Sequence, residues 1–372
     1  MSNYQICTRC IMDSSDPEIS FDNQGVCSHC HQYDKDVAQM GYHPGKSEEE
    51  LKRIVAEMKE DGKGKEYDCI LGISGGVDSS YLAYLTAQLE LRVLAVHVDA
   101  GWNSDIAVSN IQKMCEKLKI DLHTIVVDWT TMKELQRAYM FSGLPNLDVP
   151  QDHVFIAAMY QYAKKYNIKF MLNGGNMATE GILPGNWGHN AMDWWHIKSV
   201  YQKCGRGKVT LKNYPHAGLL AYAWARTRIR QIRLLNYVPY SKKNAIATLE
   251  REFGWEYYGG KHFESRFTKF FQSYYLPVKF GYDKRRAHLS SLIVSGEITR
   301  EEALLEMEKE YAYPLEQIME DRDYILKKLD ITQEEWEHIM TAPAVPDTAY
   351  RSQEPLLRQL RKLVPIHYGI KG

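Results

Sequence analysis

The chain has 372 residues, 44% hydrophobic and 12% aromatic, with a formal net charge of −1 from 46 basic and 47 acidic side chains. One small domain is excluded, because single domains run to roughly 100–200 residues, and two or three compact units are expected. No apolar run approaches the roughly 20 residues of a membrane helix, and residues 1–5 lack a secretory signal pattern, so a cytoplasmic protein with no membrane partner is expected.

The first elements are cysteine knuckles. Cys7-Thr8-Arg9-Cys10 and Cys27-Ser28-His29-Cys30 follow C-x2-C-x16-C-x2-C spacing. That spacing suits four thiolates around one tetrahedral ion, so Cys7, Cys10, Cys27 and Cys30 are candidate ligands of a structural Zn2+. Residues 1–45 are read as a zinc-ribbon module with little helical periodicity, in which His29 and His31 are spectators. Cys69, Cys115 and Cys204 are scattered singly, and a disulfide framework is not expected.

Ser47-Glu48-Glu49-Glu50 predicts a capped helix through Lys59, ended by Asp61-Gly62-Lys63-Gly64. Strands are then predicted at 69–73, 92–98, 122–127 and 169–172, with helices at 79–90, 105–118 and 152–166. This alternation indicates an α/β fold with a parallel sheet, assigned to residues 46–240. Beyond Ser241 the pattern is mainly helical, with helix starts at Thr299-Arg300-Glu301-Glu302 and Thr332-Gln333-Glu334-Glu335. Residues 241–372 are taken as a C-terminal substrate or partner region.

One string stands directly between a strand and a helix: Ser74-Gly75-Gly76-Val77-Asp78-Ser79-Ser80. Glycines let the backbone approach a ligand, and a helix N-terminus offers unpaired amides to an anion, so phosphate is the expected guest. The hydroxyls of Ser74, Ser79 and Ser80 add donors. Asp78 would repel phosphate unless a divalent cation lay between them, which makes it a Mg2+ ligand candidate. Further along, no acidic residue occurs between Asp193 and Glu250, whereas eleven Lys and Arg do. A run of that kind suits a polyanion. Trp187, Trp194, Trp195 and Trp224, in or near it, suit either sugar faces or a core.

The seven-residue string resembles the PP-loop of ATP pyrophosphatases, a family that includes NAD synthetases, asparagine synthetases and tRNA thiolation enzymes. It lacks the Lys of a Walker loop. The resemblance implies an adenine nucleotide alpha hydrolase-like, Rossmann-like domain that cleaves ATP at the α-phosphate, with Gly75 and Gly76 in the loop that holds pyrophosphate. It also implies nucleotide contacts at His97, Val98 and Asp99 and at Gly174, with Glu180 as a second Mg2+ ligand.

The block from Trp255 through Ser265, followed by Lys279-Phe280-Gly281-Tyr282-Asp283-Lys284-Arg285-Arg286, resembles the N-acetyl sugar amidotransferase family. Together with the CxxC pairs and the loop, the resemblance spans nearly the whole chain. It implies that an acetamido carbonyl oxygen is adenylated and replaced by nitrogen from ammonia, giving the acetamidino sugars of O-antigen, in lipopolysaccharide biosynthesis, or of flagellin. Lys261, Lys284, Arg285 and Arg286 become candidates to offset phosphate charge. No glutaminase nucleophile is evident, and position 2 is Ser, so a separate glutaminase subunit is expected to supply ammonia. The substrate expected is an acidic N-acetylated sugar or nucleotide sugar, with no nucleic acid. The alternative is a PP-loop tRNA thiolation enzyme using one of the three single cysteines. For proton transfers, His97, His189, His196 and His262 are all available.

Overall fold

The computed structural model describes residues 4–40, 48–187 and 189–363. The helices in chain order begin with α1 (Ser28–Met40), α2 (Glu48–Asp61), α3 (Val77–Gln88), α4 (Asp105–Leu118), α5 (Trp129–Met140) and α6 (Val149–Lys165). They continue with α7 (Met177–Glu180), α8 (Trp194–Cys204), α9 (Leu219–Arg228) and α10 (Lys242–Phe253). The C-terminal set is α11 (Arg266–Phe270), α12 (Leu276–Phe280), α13 (Lys284–Val294), α14 (Arg300–Met307), α15 (Leu315–Lys328), α16 (Gln333–Thr341) and α17 (Glu354–Leu363).

Five strands, β1 (Cys69–Gly72), β2 (Val93–Asp99), β3 (Asp121–Val126), β4 (Phe170–Leu172) and β5 (Arg230–Ile232), form one all-parallel sheet in the order β3-β2-β1-β4-β5. The central strands read as continuous aliphatic runs because both of their faces are covered by helices. Alternation along β1 divides them. Ile70 joins a core with Leu94, Val96 and α6, while Cys69 and Leu71 join a core with Val93, Ala95 and α3. Edge strand β3 is mostly exposed.

Residues beyond Ser241 help build both cores. Phe267, Phe270, Tyr275 and Trp336 enter the first, and Ala245, Leu249 and Trp255 enter the second. Thr299 and Thr332 each form a capping box, because the hydroxyl accepts from the amide three residues on while that residue's Glu reaches back. The cap expected at Ser47 lies outside the described residues.

Several elements differ from the expectations. α1 starts inside the second cysteine knuckle, so the N-terminal segment is partly helical, and its Cys and His residues hide the helical pattern. Helices α5, α8 and α9 and strand β5 are further elements beyond those expected; α5 and α8 bury residues at helical spacing, such as Met132, Leu135 and Tyr139 or Trp194, Ile197 and Tyr201. The cysteine segment is not a free module either. Arg300 donates to the carbonyls of Cys7 and Cys10 at 3.0 Å each, and Arg286 pairs with Asp13 at 3.0 Å.

Candidate active site

The chain runs from β1 outward to β2 and β3, then returns to β4 on the other side of β1. Strand order therefore reverses between β1 and β4, and the loops leaving their carboxyl ends flank a crevice, the usual ligand position in such sheets. The loop after β1 is Ser74–Gly76, and the loop after β4 contains Gly174 and Gly175. Both line a cavity of about 230 Å3, together with Asp78, Ser79, Thr179, Glu180, Lys242, Tyr258, Lys261, His262 and Glu264.

Local chemistry explains the loop's shape. Gly75 has φ +79°, and a Cβ there would lie 2.6 Å from the Ala107 carbonyl oxygen. Gly76 N–H donates to Ser74 Oγ at 3.2 Å, and the Ser74 and Ser79 hydroxyls meet at 3.2 Å. Gly174 lets β4's loop pass against α3, since a Cβ would approach Ser79 N to 3.1 Å. From the far end of the chain, Tyr258 Oη accepts from Val77 N–H at 3.0 Å. Ser80, fully buried, accepts from the Trp255 indole at 3.2 Å and so anchors α3.

Two carboxylates share one ammonium. Lys261 Nζ lies 2.9 Å from Glu180 and 3.8 Å from Asp78. Tyr240 donates to Asp78 Oδ1, and the Thr179 hydroxyl lies 3.4 Å from Oδ2. Burial acts against charging both partners, yet Glu180 and Asp78 hold Lys261 above its ordinary value, while Lys261 and His262 hold Glu180 below its own. Lys242 is different: burial lowers it and outweighs the pull of Asp78.

Glu180 stands on a short helix braced from behind. The Ser291 hydroxyl accepts from Ile182 N–H at 2.9 Å, and the Ser295 hydroxyl donates to the Ala178 carbonyl at 3.0 Å. Ser291 lies in α13 and Ser295 caps its C-terminus, and α13 also receives the cysteine segment through Ile11 N–H to Ser290 Oγ at 3.2 Å. The Tyr33 ring of α1 lies so close to Gly181 that a Cβ there would meet it at 2.4 Å.

Other expected residues are placed elsewhere. Arg285 is corrected: the N-cap carboxylate of Asp283 takes its guanidinium at 2.6 Å, and the remaining donors reach the Lys309 and Glu310 carbonyls. Arg286 serves the cysteine segment. Lys284 does not line the cavity, although it feels the charges of Asp148, Asp152 and Glu180, and burial lowers it. His97 has both ring nitrogens occupied, by the Ile73 carbonyl at 3.0 Å and Asn103 at 3.1 Å. Val98 is buried, and Asp99 accepts from Gly101 N–H at 2.8 Å. His189 and His196 lie in a separate cluster, so of the four histidines only His262 lines the cavity.

Within the acid-free segment, Arg230 pairs with Glu57 at 2.5 Å and Arg206 pairs with Glu134, both acids coming from other elements. Of its eleven cations, Lys242 lines the cavity. Trp187 and Trp194 are buried in cores. Tyr258 and Glu264 line the cavity beyond the expected site residues, Tyr240 reaches it through Asp78, and Lys242 comes from the acid-free segment. Tyr258 and Glu264 stand inside the segment from Trp255 through Ser265, whose resemblance points to the site.

The four N-terminal cysteines converge. Their sulfur atoms lie within 4.8 Å of one another, with Cys10–Cys27 at 3.6, Cys27–Cys30 at 3.7 and Cys7–Cys30 at 3.9 Å. Zinc–sulfur bonds of about 2.3 Å in a tetrahedron place sulfurs about 3.8 Å apart, so this set fits the ion. All four are fully buried and unbridged, and Cys7 Sγ accepts from Cys27 N–H at 3.2 Å. His29 and His31 pair instead with Asp16 and Asp22, at 2.6 and 2.8 Å.

Comparison with known proteins adds two domain matches. The NAD synthase family profile matches residues 48–216, and that of the LPS biosynthesis protein WbpG-like, C-terminal domain, matches residues 264–364. A tRNA(Ile)-lysidine synthase of Actinobacillus pleuropneumoniae is 40% identical over 63 residues, 16% of this chain and 15% of that protein. An NH(3)-dependent NAD(+) synthetase of Methanococcoides burtonii is 26% identical over 182 residues, 43% of this chain and 65% of that one. The chain thus spans less than two thirds of either relative. The structure of NMN synthetase from Francisella tularensis shares 16% identity at a TM-score of 0.31, covering 57% of this chain and 72% of that one.

Sheet, loop and profile mark residues 48–216 as a PP-loop domain of the NAD synthase type. The WbpG-like domain on the same chain supports its place in an N-acetyl sugar amidotransferase-like family of PP-loop ATP pyrophosphatases. No helix among the described residues is long and apolar enough to cross a membrane.

Proposed function

We propose that this chain is an AMP-forming amidotransferase, acting in the cytoplasm on the acetamido group of an acidic sugar or nucleotide sugar for bacterial surface polysaccharide or flagellar glycans. The observation that carries the reading is the meeting of the Ser74 loop with Tyr258, Lys261, His262 and Glu264, all from the amidotransferase-like block, in one cavity.

Each residue has a role in that reading. The N-terminus of α3 and the Ser74 and Ser79 hydroxyls receive phosphate oxygens, and Lys242 and Lys261 offset their charge. Asp78 and Glu180 would hold a magnesium ion, which when bound supplies further charge compensation at the phosphates. Lys261 already partners those carboxylates, so it and the cation compete for the same oxygens. The acetamido oxygen attacks the α-phosphorus and pyrophosphate departs; ammonia then adds to the activated carbon and the oxygen leaves on AMP. His262, 3.8 Å from Glu264, is the histidine positioned to take up a proton. Zinc at the four cysteines is structural, and ammonia comes from a separate glutaminase subunit.

The tRNA thiolation alternative needs a reactive thiol at the nucleotide. None of the three single cysteines lines the cavity, and burial pushes Cys115 up to about 11 and Cys69 upward as well.

Purified protein incubated with magnesium, ATP and ammonium chloride tests the reading against a panel of acetamido sugars and nucleotide sugars. AMP formed only with one sugar, together with a product about one dalton lighter as C=O becomes C=NH, supports amidotransfer. AMP formed with bulk tRNA and with no sugar refutes it.

A further inference from the structure

A second constellation lies where the chain folds back over α8. Residues 345–353 run past the turn that follows α5 and along α8: Val345 N–H donates to the Gly143 carbonyl at 2.9 Å, and Arg351 N–H donates to Ser199 Oγ at 2.9 Å. This strap carries Asp347 to His189 and His196. His189 Nδ1 is 3.4 Å from Asp347 Oδ2, and His196 Nε2 is 3.8 Å from Asp347 Oδ1. The three candidate ligand atoms all lie within 4.8 Å of one another.

The two imidazoles stack with ring centroids 3.8 Å apart, and each turns one nitrogen toward Asp347. His189 Nε2 is taken by Asp193 Oδ2 at 3.2 Å, which leaves Nδ1 for another partner. Asp193 is itself fixed, because Oδ1 accepts from His196 N–H and Gln353 N–H at 3.0 Å each and the Ser352 hydroxyl donates to Oδ2. His196 is fully buried, with Nδ1 3.3 Å from the Tyr139 hydroxyl. Its Nε2 has no hydrogen-bond partner among the described residues. A buried ring nitrogen left unpaired is costly, so its persistence points to a missing partner.

We propose that His189, His196 and Asp347 bind a divalent transition-metal ion of the zinc class, at a site separate from the four cysteines and from the cavity beside Ser74. Two imidazoles and one carboxylate suit such ions, whereas magnesium prefers oxygen donors. The Asp193 contact matches the carboxylate–histidine support that orients metal-bound imidazoles. Bonds of about 2.0–2.2 Å require ligand atoms roughly 3.3 Å apart, a contraction within reach of side-chain rotation. Asp347 is 40% exposed, which admits a water as fourth ligand. The ion would clamp the strap onto α8, far from it in sequence.

The full-length protein is stripped of metal, reloaded with Zn2+ or Co2+, and its metal content measured for wild type, Asp347→Asn and His196→Gln. Wild type is expected to hold one equivalent more than either variant, with the thiolate charge-transfer bands of the cobalt form unchanged in both, which shows the cysteine module intact. Equal metal in all three proteins overturns the proposal. If a variant fails to fold, cobalt titration of wild type decides. An equivalent that adds weak visible bands without thiolate character, and that excess magnesium does not displace, supports the site; its absence or its displacement by magnesium overturns it.

Discussion

Lys261 and Glu180 form an ion pair of 2.9 Å that joins the C-terminal region to the end of β4 at the nucleotide crevice. The lysine also lies 3.8 Å from Asp78, so a single ammonium draws together carboxylates from the helices that follow β1 and β4, α3 and α7. The site is therefore completed only when the C-terminal region packs onto the sheet domain.

Lys261→Ala leaves two largely buried carboxylates uncompensated and removes a cation from the phosphates. AMP formation is expected to fall about 10²–10³-fold, the range for losing one preorganised donor to developing charge. Lys261→Arg keeps the charge and is expected to recover part of the activity. Steady-state AMP release for the two variants checks this.

Gly75→Ala places a side chain at φ +79° against the Ala107 carbonyl oxygen. The strain is worth about 1–3 kcal/mol. Because the loop must shift to relieve it, the KM for ATP is expected to rise at least about tenfold while the thermal midpoint falls. Unchanged ATP affinity would show that the loop's conformation does not matter for nucleotide.

The cysteine centre is mechanically linked to Glu180, through Tyr33 on Gly181 and through the serines of α13. Cys27→Ser, or prolonged chelation, is expected to cost more than about 4 kcal/mol, as loss of a structural metal does. ATP-dependent AMP formation should fall along with the module. A chelated protein that unfolds its N-terminus but retains activity would separate the two.

Asp148 and Asp152 give a pH prediction of definite sign. Burial raises both, and for Asp148 the charge of Asp152 adds to it, with Lys284 and Thr268 opposing. A carboxyl raised on folding favours the folded state while protonated. That contribution is complete below the unfolded value of about 3.9 and is lost as pH rises through the folded value. Asp148→Asn is thus expected to flatten the decline of thermal midpoint with pH above about 4. Glu180 and Lys261 act oppositely. Glu180 is depressed, so its contribution is lost on acidification, and Lys261 is raised, so its contribution is lost only in strong alkali.

How much of this was legible in the sequence follows from the range of each signal. Strands β1 and β2 and the Ser74 loop are legible because buried aliphatic runs and glycines act locally. Helix α4 is legible as well, since Ser104 caps it and its apolar residues recur on one face. Tyr240 and Lys242 are not, because nothing near Tyr240 announces a partner 162 residues earlier in Asp78. Arg285 misled for a local reason: it stands two residues after Asp283, whose carboxylate both caps α13 and captures the guanidinium. In the acid-free segment the pairing of Arg230 and Arg206 is not legible, because their acids, Glu57 and Glu134, come from other helices.

The most direct measurement follows the acetamido oxygen. Substrate sugar labelled with heavy oxygen in its acetyl carbonyl is turned over with magnesium, ATP and ammonium, and the AMP is analysed by mass spectrometry. Label recovered in AMP, with none in pyrophosphate, is the predicted result, since the carbonyl oxygen departs on the α-phosphate. Unlabelled AMP alongside amidine product would contradict activation of the substrate at that oxygen.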